Sequence, residues 1–330
     1  MQQRTLGPFT VSAIGLGCMN LTHAYEPRPD ADTARAVLRE AVDLGYTLFD
    51  TATIYGAGEN EKLVGRVLRP HRDDIVLTSK CGLFIDEDGR RRIDGRPATL
   101  RRHCEDSLRR LGTDVIDLYY LHRMDPEVPI EDSAGALGRL VAEGKIRTIG
   151  LSEVSAATLR RAHAEHPVTA LQSEYSLWTR NPEIATLEVC RELGVAFVAF
   201  SPVARGFLPG TLRDPRALGA KDLRHGMPRF APENYAANLA LLDQVAPIAE
   251  ATGCSLAQLA LAWLLARGEH VIPIPGTTSI EHLRENAAAA DIALDADSVA
   301  RLDGIINERT VRGARYGERA QRTVDTEEFD

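Results

Sequence analysis

Cysteine is scarce and scattered. Five residues, at positions 18, 81, 104, 190 and 254, form an odd set with no Cys-x-x-Cys pair and no clustering with histidine. That pattern argues against a disulfide framework and against a zinc site, and reduced thiols suit a cytosolic setting. No segment reaches the ~18 apolar residues needed to cross a bilayer. The opening Met-Gln-Gln-Arg-Thr also lacks the basic-then-apolar run of a targeting peptide, so no membrane partner is expected. Positive charge is not in excess either. Lys plus Arg is 39 against 47 Asp plus Glu, a formal charge of −8, which leaves no electrostatic footprint for nucleic acid. With 26 Gly, 17 Pro and 5% aromatics the chain is neither collagen-like nor low in complexity.

What is present is length and alternation. A chain of 330 residues, 44% hydrophobic, is large enough for one α/β barrel or two ordinary domains. Short apolar β-rich runs recur at 13–17, 46–50, 75–80, 116–122, 147–152, 169–173, 196–200 and 271–274. Between them, segments such as 33–44, 60–68, 100–111 and 130–143 place apolar residues at helical spacing, and Gly45, Gly112, Gly144 and Gly194 stand where helices should stop. Eight strand–helix units predict a single domain over 1–330, an α/β (β/α)8 TIM barrel. Residues 1–12, with Gly7-Pro8 inside, predict a hairpin that plugs the N-terminal end. Loops 20–30, 82–97 and 202–232 each follow a strand directly, so with the tail 311–330 they are expected to overhang the C-terminal mouth and select the substrate.

At the predicted strand ends stand Asp50, Lys80, His122, Ser152 and Gln172, on five different strands. Taken singly each has a bland explanation: a turn cap, a solvated strand end, a satisfied core histidine. Taken together they do not, because charges withdrawn from water at one mouth are tolerated only when they pair. Tyr55 adds a phenol one loop beyond Asp50, just ahead of Gly56-Ala-Gly58. A nearby ammonium favours phenolate, so Lys80 is expected to lower the Tyr55 pKa from its ordinary ~10. Asp50 would hold Lys80 charged, and a neutral His122 would orient a carbonyl oxygen toward the phenol.

Asp50, Tyr55, Lys80 and His122, in that order, resemble the catalytic tetrad of the aldo-keto reductases. The similarity extends through Gly15-Leu-Gly-Cys-Met19, Phe49-Asp-Thr-Ala52, Tyr55-Gly-Ala-Gly-Glu-Asn-Glu61, Leu121-His-Arg123, Gly150-Leu-Ser-Glu-Val154 and Ile274-Pro-Gly-Thr277. The resemblance implies reduction of a small carbonyl compound by hydride from a nicotinamide cofactor, NADPH with NADH as the alternative, while Tyr55 protonates the oxygen. It further implies that Ser152 and Gln172 hold the carboxamide and that Phe200 stacks on the nicotinamide. Gly17, Met19 and Asn286 are implied cofactor neighbours. Ser201, Arg205 and Gly206 would lie along the pyrophosphate. Gly276, Thr277, Thr278 and His282 would receive the adenosine phosphate at the N-terminus of a helix over 280–289. Tyr25 and Trp178, with Met19 and Phe207, are expected to line the substrate mouth. Thr278 and His282 stand where many relatives carry Lys or Arg, and Arg284 is a possible substitute. Two rival readings remain. One is a nicotinamide-binding regulatory subunit; the other is a lyase forming a Schiff base on Lys80.

Overall fold

The computed structural model describes residues 1–329. The chain opens with an antiparallel hairpin, β1 (Gln3–Leu6) and β2 (Phe9–Ser12). Its turn at Gly7 has φ +58, in the left-handed region that suits glycine. Parallel strands β3 (Leu16–Gly17), β4 (Leu48–Asp50) and β5 (Val76–Cys81) follow. After a short antiparallel excursion, β6 (Leu83–Ile85) and β7 (Arg91–Ile93), the sheet resumes with β8 (Ile116–Leu121), β9 (Ile146–Ser152), β10 (Val168–Glu174), β11 (Ala196–Phe200) and β12 (Val271–Pro273).

Helices α1 (Ala31–Asp43), α2 (Glu59–Leu68), α3 (Pro97–Leu111), α4 (Ile130–Ala142), α5 (Ala156–Glu165) and α6 (Thr186–Leu193) connect these strands. Behind β11 come α7 (Pro232–Thr252) and α8 (Leu256–Leu265), and behind β12 come α9 (Ile280–Ala288), α10 (Ala296–Ile305) and α11 (Glu318–Gln321). Each predicted strand and helix is present within a few residues of its predicted bounds. Among the described residues no single helix is long and apolar enough to cross a membrane.

The eight parallel strands pair in chain order from β3 to β12. The sheet then closes: Gly15 and Gly17 donate to the carbonyls of Pro273 and Pro275 at 3.0 and 3.1 Å. The seam is one-sided because neither proline has an N–H to return, which is why β3 spans two residues rather than the five predicted. This is the eight-stranded α/β barrel that the alternation predicted.

Two apolar layers hold it. Val76, Leu118, Tyr120, Ala170, Val198 and Ile272 point inward, and Leu6 and Val11 of the hairpin enter the same cluster. The hairpin therefore plugs the N-terminal end, as expected, and Arg4 fixes it by donating to the carbonyls of Leu265 and Val271. The outer layer packs the strands' other faces against helix residues such as Val37, Leu100, Leu137 and Trp263. One segment departs from expectation. Residues 82–97, read as irregular, pair as β6 and β7 in the register Leu83↔Ile93 and Ile85↔Arg91. The run Asp-Glu-Asp-Gly-Arg-Arg-Arg hid the strand pattern. Asp86 folds the turn by accepting the Asp88 and Arg90 N–H groups at 3.1 and 2.8 Å.

Candidate active site

The barrel register sets the chemistry. Side chains alternate along a strand, so Thr78 and Lys80 on β5 share the inward face, and Gln172 on β10 points across to them. Asp50, at the end of β4, is where they meet. Lys80 donates to Asp50 Oδ1, and Thr78 and Gln172 donate to its Oδ2 at 2.7 and 2.8 Å. Lys80 also donates to the Thr51 carbonyl at 2.9 Å, and its Nζ lies 3.3 Å from the Tyr55 hydroxyl. Lys80 is fully buried and Asp50 only 3% exposed. Tyr55 enters from the turn after β4, with its ring 5.9 Å from the His122 ring, edge-on, and 6.1 Å from that of His23. The four tetrad residues are thus brought together.

Their protonation differs from expectation at one point. Burial, the largest influence, raises Tyr55 above the ordinary phenol value; Lys80 pulls it down and Asp50 pushes it up, and the net is upward. The expected lowering by Lys80 is real as a contribution but is outweighed by desolvation. Burial works against charge on Lys80 too, yet Asp50 and Tyr55 outweigh it and hold the ammonium above its ordinary value. Burial first, then the cations Arg123, Lys80 and Arg91, keep His122 well below the usual imidazole range, and hence neutral.

Around this centre a cavity of about 1100 Å³ is open at the C-terminal mouth. Gly17, Met19, Tyr25, Asp50, Tyr55, His122, Ser152, Gln172, Phe200, Ser201, Arg205, Gly206, Gly276, Thr277, His282 and Asn286 all line it. Backbone close approach explains two glycines there: a Cβ on Gly17 would come within 2.8 Å of the Ile274 carbonyl oxygen, and one on Gly276 within 2.8 Å of the Gly17 carbonyl oxygen. The stretch that follows β11 carries positive φ at Ser201, Ala204 and Arg205. Ser279 caps α9 by accepting the His282 N–H at 3.3 Å.

Four expectations are corrected. Trp178 does not line the cavity. It is 4% exposed and stacks on Phe207 at 4.0 Å, so of the three expected mouth aromatics these two are core beneath the loop after β11, while Tyr25 lines the cavity. The cause is a tight turn in which Ser176 and Thr179 exchange backbone hydrogen bonds at 3.1 Å. Thr277 lines the cavity, and Thr278 does not. Arg205 reaches the cavity, but its guanidinium is held by Glu174 at 2.8 Å and by the Tyr316 hydroxyl at 3.1 Å. Arg284, the possible substitute cation on α9, is taken by Glu40 at 2.8 Å.

Sequence reasoning missed a buried network beside the site. Glu153, at φ +57, and Glu174 are matched by Arg315 and Arg205, with Tyr316 donating to Glu174 at 3.0 Å. It ties the tail to β9 and β10. The strand-end positions of Glu153 and Glu174 were the available signal; the partner, some 140 residues on, had none. Arg28, Arg91 and Arg123 were also missed, although Arg123 adjoins His122 and all three line the cavity.

Fold and site define a barrel with a buried Asp–Lys–Tyr–His cluster at its mouth, and the chain belongs to the aldo/keto reductase family, whose family model matches residues 13–307. Among solved structures it is similar to a glycerol dehydrogenase from Gluconobacter oxydans, at 29% identity over 94% of this chain and 96% of that one, with a TM-score of 0.85. An aldo-keto reductase from Bacillus halodurans in its holo form is 30% identical over 96% and 99%, with a TM-score of 0.78. One from Klebsiella pneumoniae, in complex with NADP and acetate, is 32% identical over 93% and 95%, with a TM-score of 0.71.

Proposed function

We propose that this protein reduces aldehyde or ketone carbonyls to alcohols, with NADPH as reductant and Tyr55 as proton donor. One observation carries the reading: the Tyr55 hydroxyl lies 3.3 Å from a fully buried Lys80 ammonium that is itself held by Asp50. Oxidoreductase chemistry is the coarse expectation for the family, and the Klebsiella relative was solved with NADP. The residues present fit a dinucleotide. Gly17 and Gly276 line the cavity without a side chain, Asn20 Oδ1 is buried without a partner among the described residues, and Thr277, Ser279 and the amides of α9 offer donors suited to phosphate. Ser152, Gln172 and Phe200 would hold the nicotinamide end, and Ser201, Gly206, His282 and Asn286 the remainder. When bound, the reduced cofactor supplies hydride to the carbonyl carbon.

The chain's own residues do the rest. The buried phenol is neutral through the physiological range, so Tyr55 holds the proton until a carbonyl oxygen acquires negative charge. The ammonium of Lys80 then stabilises the phenolate left behind. Asp50, fixed by Thr78 and Gln172, keeps that ammonium charged and aimed. Neutral His122, edge-on to Tyr55, can donate a hydrogen bond to the same oxygen. A protonated Lys80 is a poor amine nucleophile, which weighs against the Schiff-base rival. Residues 1–330 act as one catalytic unit in this reading, because the tail contributes Tyr316, Gly317 and Val324 to the cavity wall. The test is the loss of nicotinamide absorbance when purified protein meets NADPH and a panel of aldehydes and ketones. Turnover by wild type and its loss in Tyr55→Phe is the expected result; binding of NADPH with no turnover of any carbonyl would favour the regulatory-subunit reading.

A further inference from the structure

Three arginines at the mouth have no acidic partner among the described residues. Among the described residues Arg28, Arg91 and Arg123 form no ion pair, whereas Arg205 and Arg224, which line the same cavity, are held by Glu174 and Asp222. Arg123 is 8% exposed, lines the cavity and donates to the His122 carbonyl at 2.6 Å and to Ser152 Oγ at 3.3 Å, which leaves its Nε buried with no partner. A buried guanidinium donor without an acceptor is costly unless a ligand supplies one. Arg91 on β7 and Arg28 in the loop after β3 are exposed and line the same space. Their charge is felt at the reaction centre: Arg28 and Arg91 both depress His23, and Arg91 and Arg123 depress His122, in each case in addition to burial. Carboxylates do not balance them. Of those lining the cavity, Asp50 is bound to Lys80, and Glu281 and Glu285 belong to α9.

Resting on the reductase reading above, we propose that the substrate is a carboxylate-bearing aldehyde or ketone whose anionic group is received by Arg91 and Arg123, with Arg28 at the rim. Guanidinium presents paired N–H donors that match a planar carboxylate. Met19, Tyr25, Ile54 and Leu83 line the cavity too and offer apolar contact for the part of the substrate between carbonyl and carboxylate.

Two measurements separate this proposal from the reductase reading. Binding of benzoate and of benzamide to the protein is compared by calorimetry, and kcat/KM with NADPH is compared for 4-carboxybenzaldehyde and its methyl ester. Expected is a preference for the anion on the order of tenfold in each, about 1.4 kcal/mol. Arg28→Gln/Arg91→Gln, both at exposed positions with no hydrogen bonds to lose, should reduce the preference, and Arg91→Lys should restore part of it. Turnover of both aldehydes alike, with benzoate and benzamide binding equally, overturns the proposal and leaves the reductase standing. An anion preference that survives the double variant overturns the assignment to these arginines. Benzoate preference with no turnover of either aldehyde supports the anion site and overturns the reductase.

Discussion

At the scale of single residues, the site's behaviour follows from desolvation competing with charge. Tyr55 is raised although an ammonium stands 3.3 Å away, because burial is the larger influence. Removing the hydroxyl while leaving the ring, Tyr55→Phe, should lower turnover by about 10²–10⁴ with little change in cofactor affinity. Lys80→Met should be comparably severe, because the chief downward pull on the phenol goes with the ammonium. Cofactor titration beside steady-state rates checks both, and near-normal rates in either variant would remove that residue from the mechanism. Trp178 belongs to a different category. Stacked on Phe207 and edge-on to Phe230 at 5.4 Å, it is core, so Trp178→Ala should cost about 3–5 kcal/mol of stability without altering the ranking of substrates. Denaturant unfolding and a substrate panel separate those outcomes. From sequence, an aromatic six residues beyond Gln172 could belong to mouth or core alike; only the turn at Ser176–Thr179 decides it.

Among elements, the hairpin and the tail show two ways of attaching a peripheral segment. β1 and β2 dock by inserting apolar side chains: Leu6 and Val11 are fully buried in the barrel interior. Leu6→Ala should therefore cost about 2–5 kcal/mol, read from urea unfolding, while the mouth at the opposite end keeps its activity where the protein is folded. The tail docks by polar contacts. Asp325 Oδ2 accepts from the Ser155 N–H at 3.1 Å and from the Thr158 hydroxyl at 2.6 Å, and its own N–H bonds to the Glu153 carbonyl at 3.0 Å. Asp325→Ala should cost on the order of 1 kcal/mol and open the tail to cleavage, visible by limited proteolysis. The hairpin was legible because its alternation and its Gly7-Pro8 turn are local. Tail docking was not, since its partners lie some 170 residues away.

For the whole molecule, pH should act mainly from the acid side. Burial, the largest influence, depresses His103 to about 4, and the ring accepts the Gly82 N–H at 3.2 Å, a bond only an unprotonated nitrogen can make. A folded-state value below the unfolded one means the stabilisation is complete above ~6.5 and is lost as pH falls toward the folded value. It amounts to about 3 kcal/mol at most. Glu174 adds to the same trend at lower pH. Burial opposes its charge, but Arg205 and Arg315 prevail and hold it at about 2, so its contribution is present above the ordinary carboxylate value and disappears below it. Thermal unfolding should show a flat maximum near neutrality and a decline beginning below ~6.5. In His103→Gln the part of that decline between about 6.5 and 4 should shrink; an unchanged profile would exclude His103 as its source.

The sequence by itself determined the order and type of the barrel's strands and of the helices between them, the barrel class and the tetrad, but not the β6–β7 excursion. Each of these is written in short-range periodicity or in residues at strand ends, and parallel pairing in chain order needs no further information to bring those ends to one mouth. Tertiary structure alone decided which side chains remain available there. Arg205 and Arg284 carry the same charge as Arg91 and Arg123, yet the first two meet Glu174 and Glu40 while the last two meet no carboxylate among the described residues. Whether a cation is neutralised within the fold depends on partners brought from elsewhere in the chain, and on how far burial strengthens their interaction. Neither quantity is encoded locally, so the polarity of the mouth emerged only when the barrel closed.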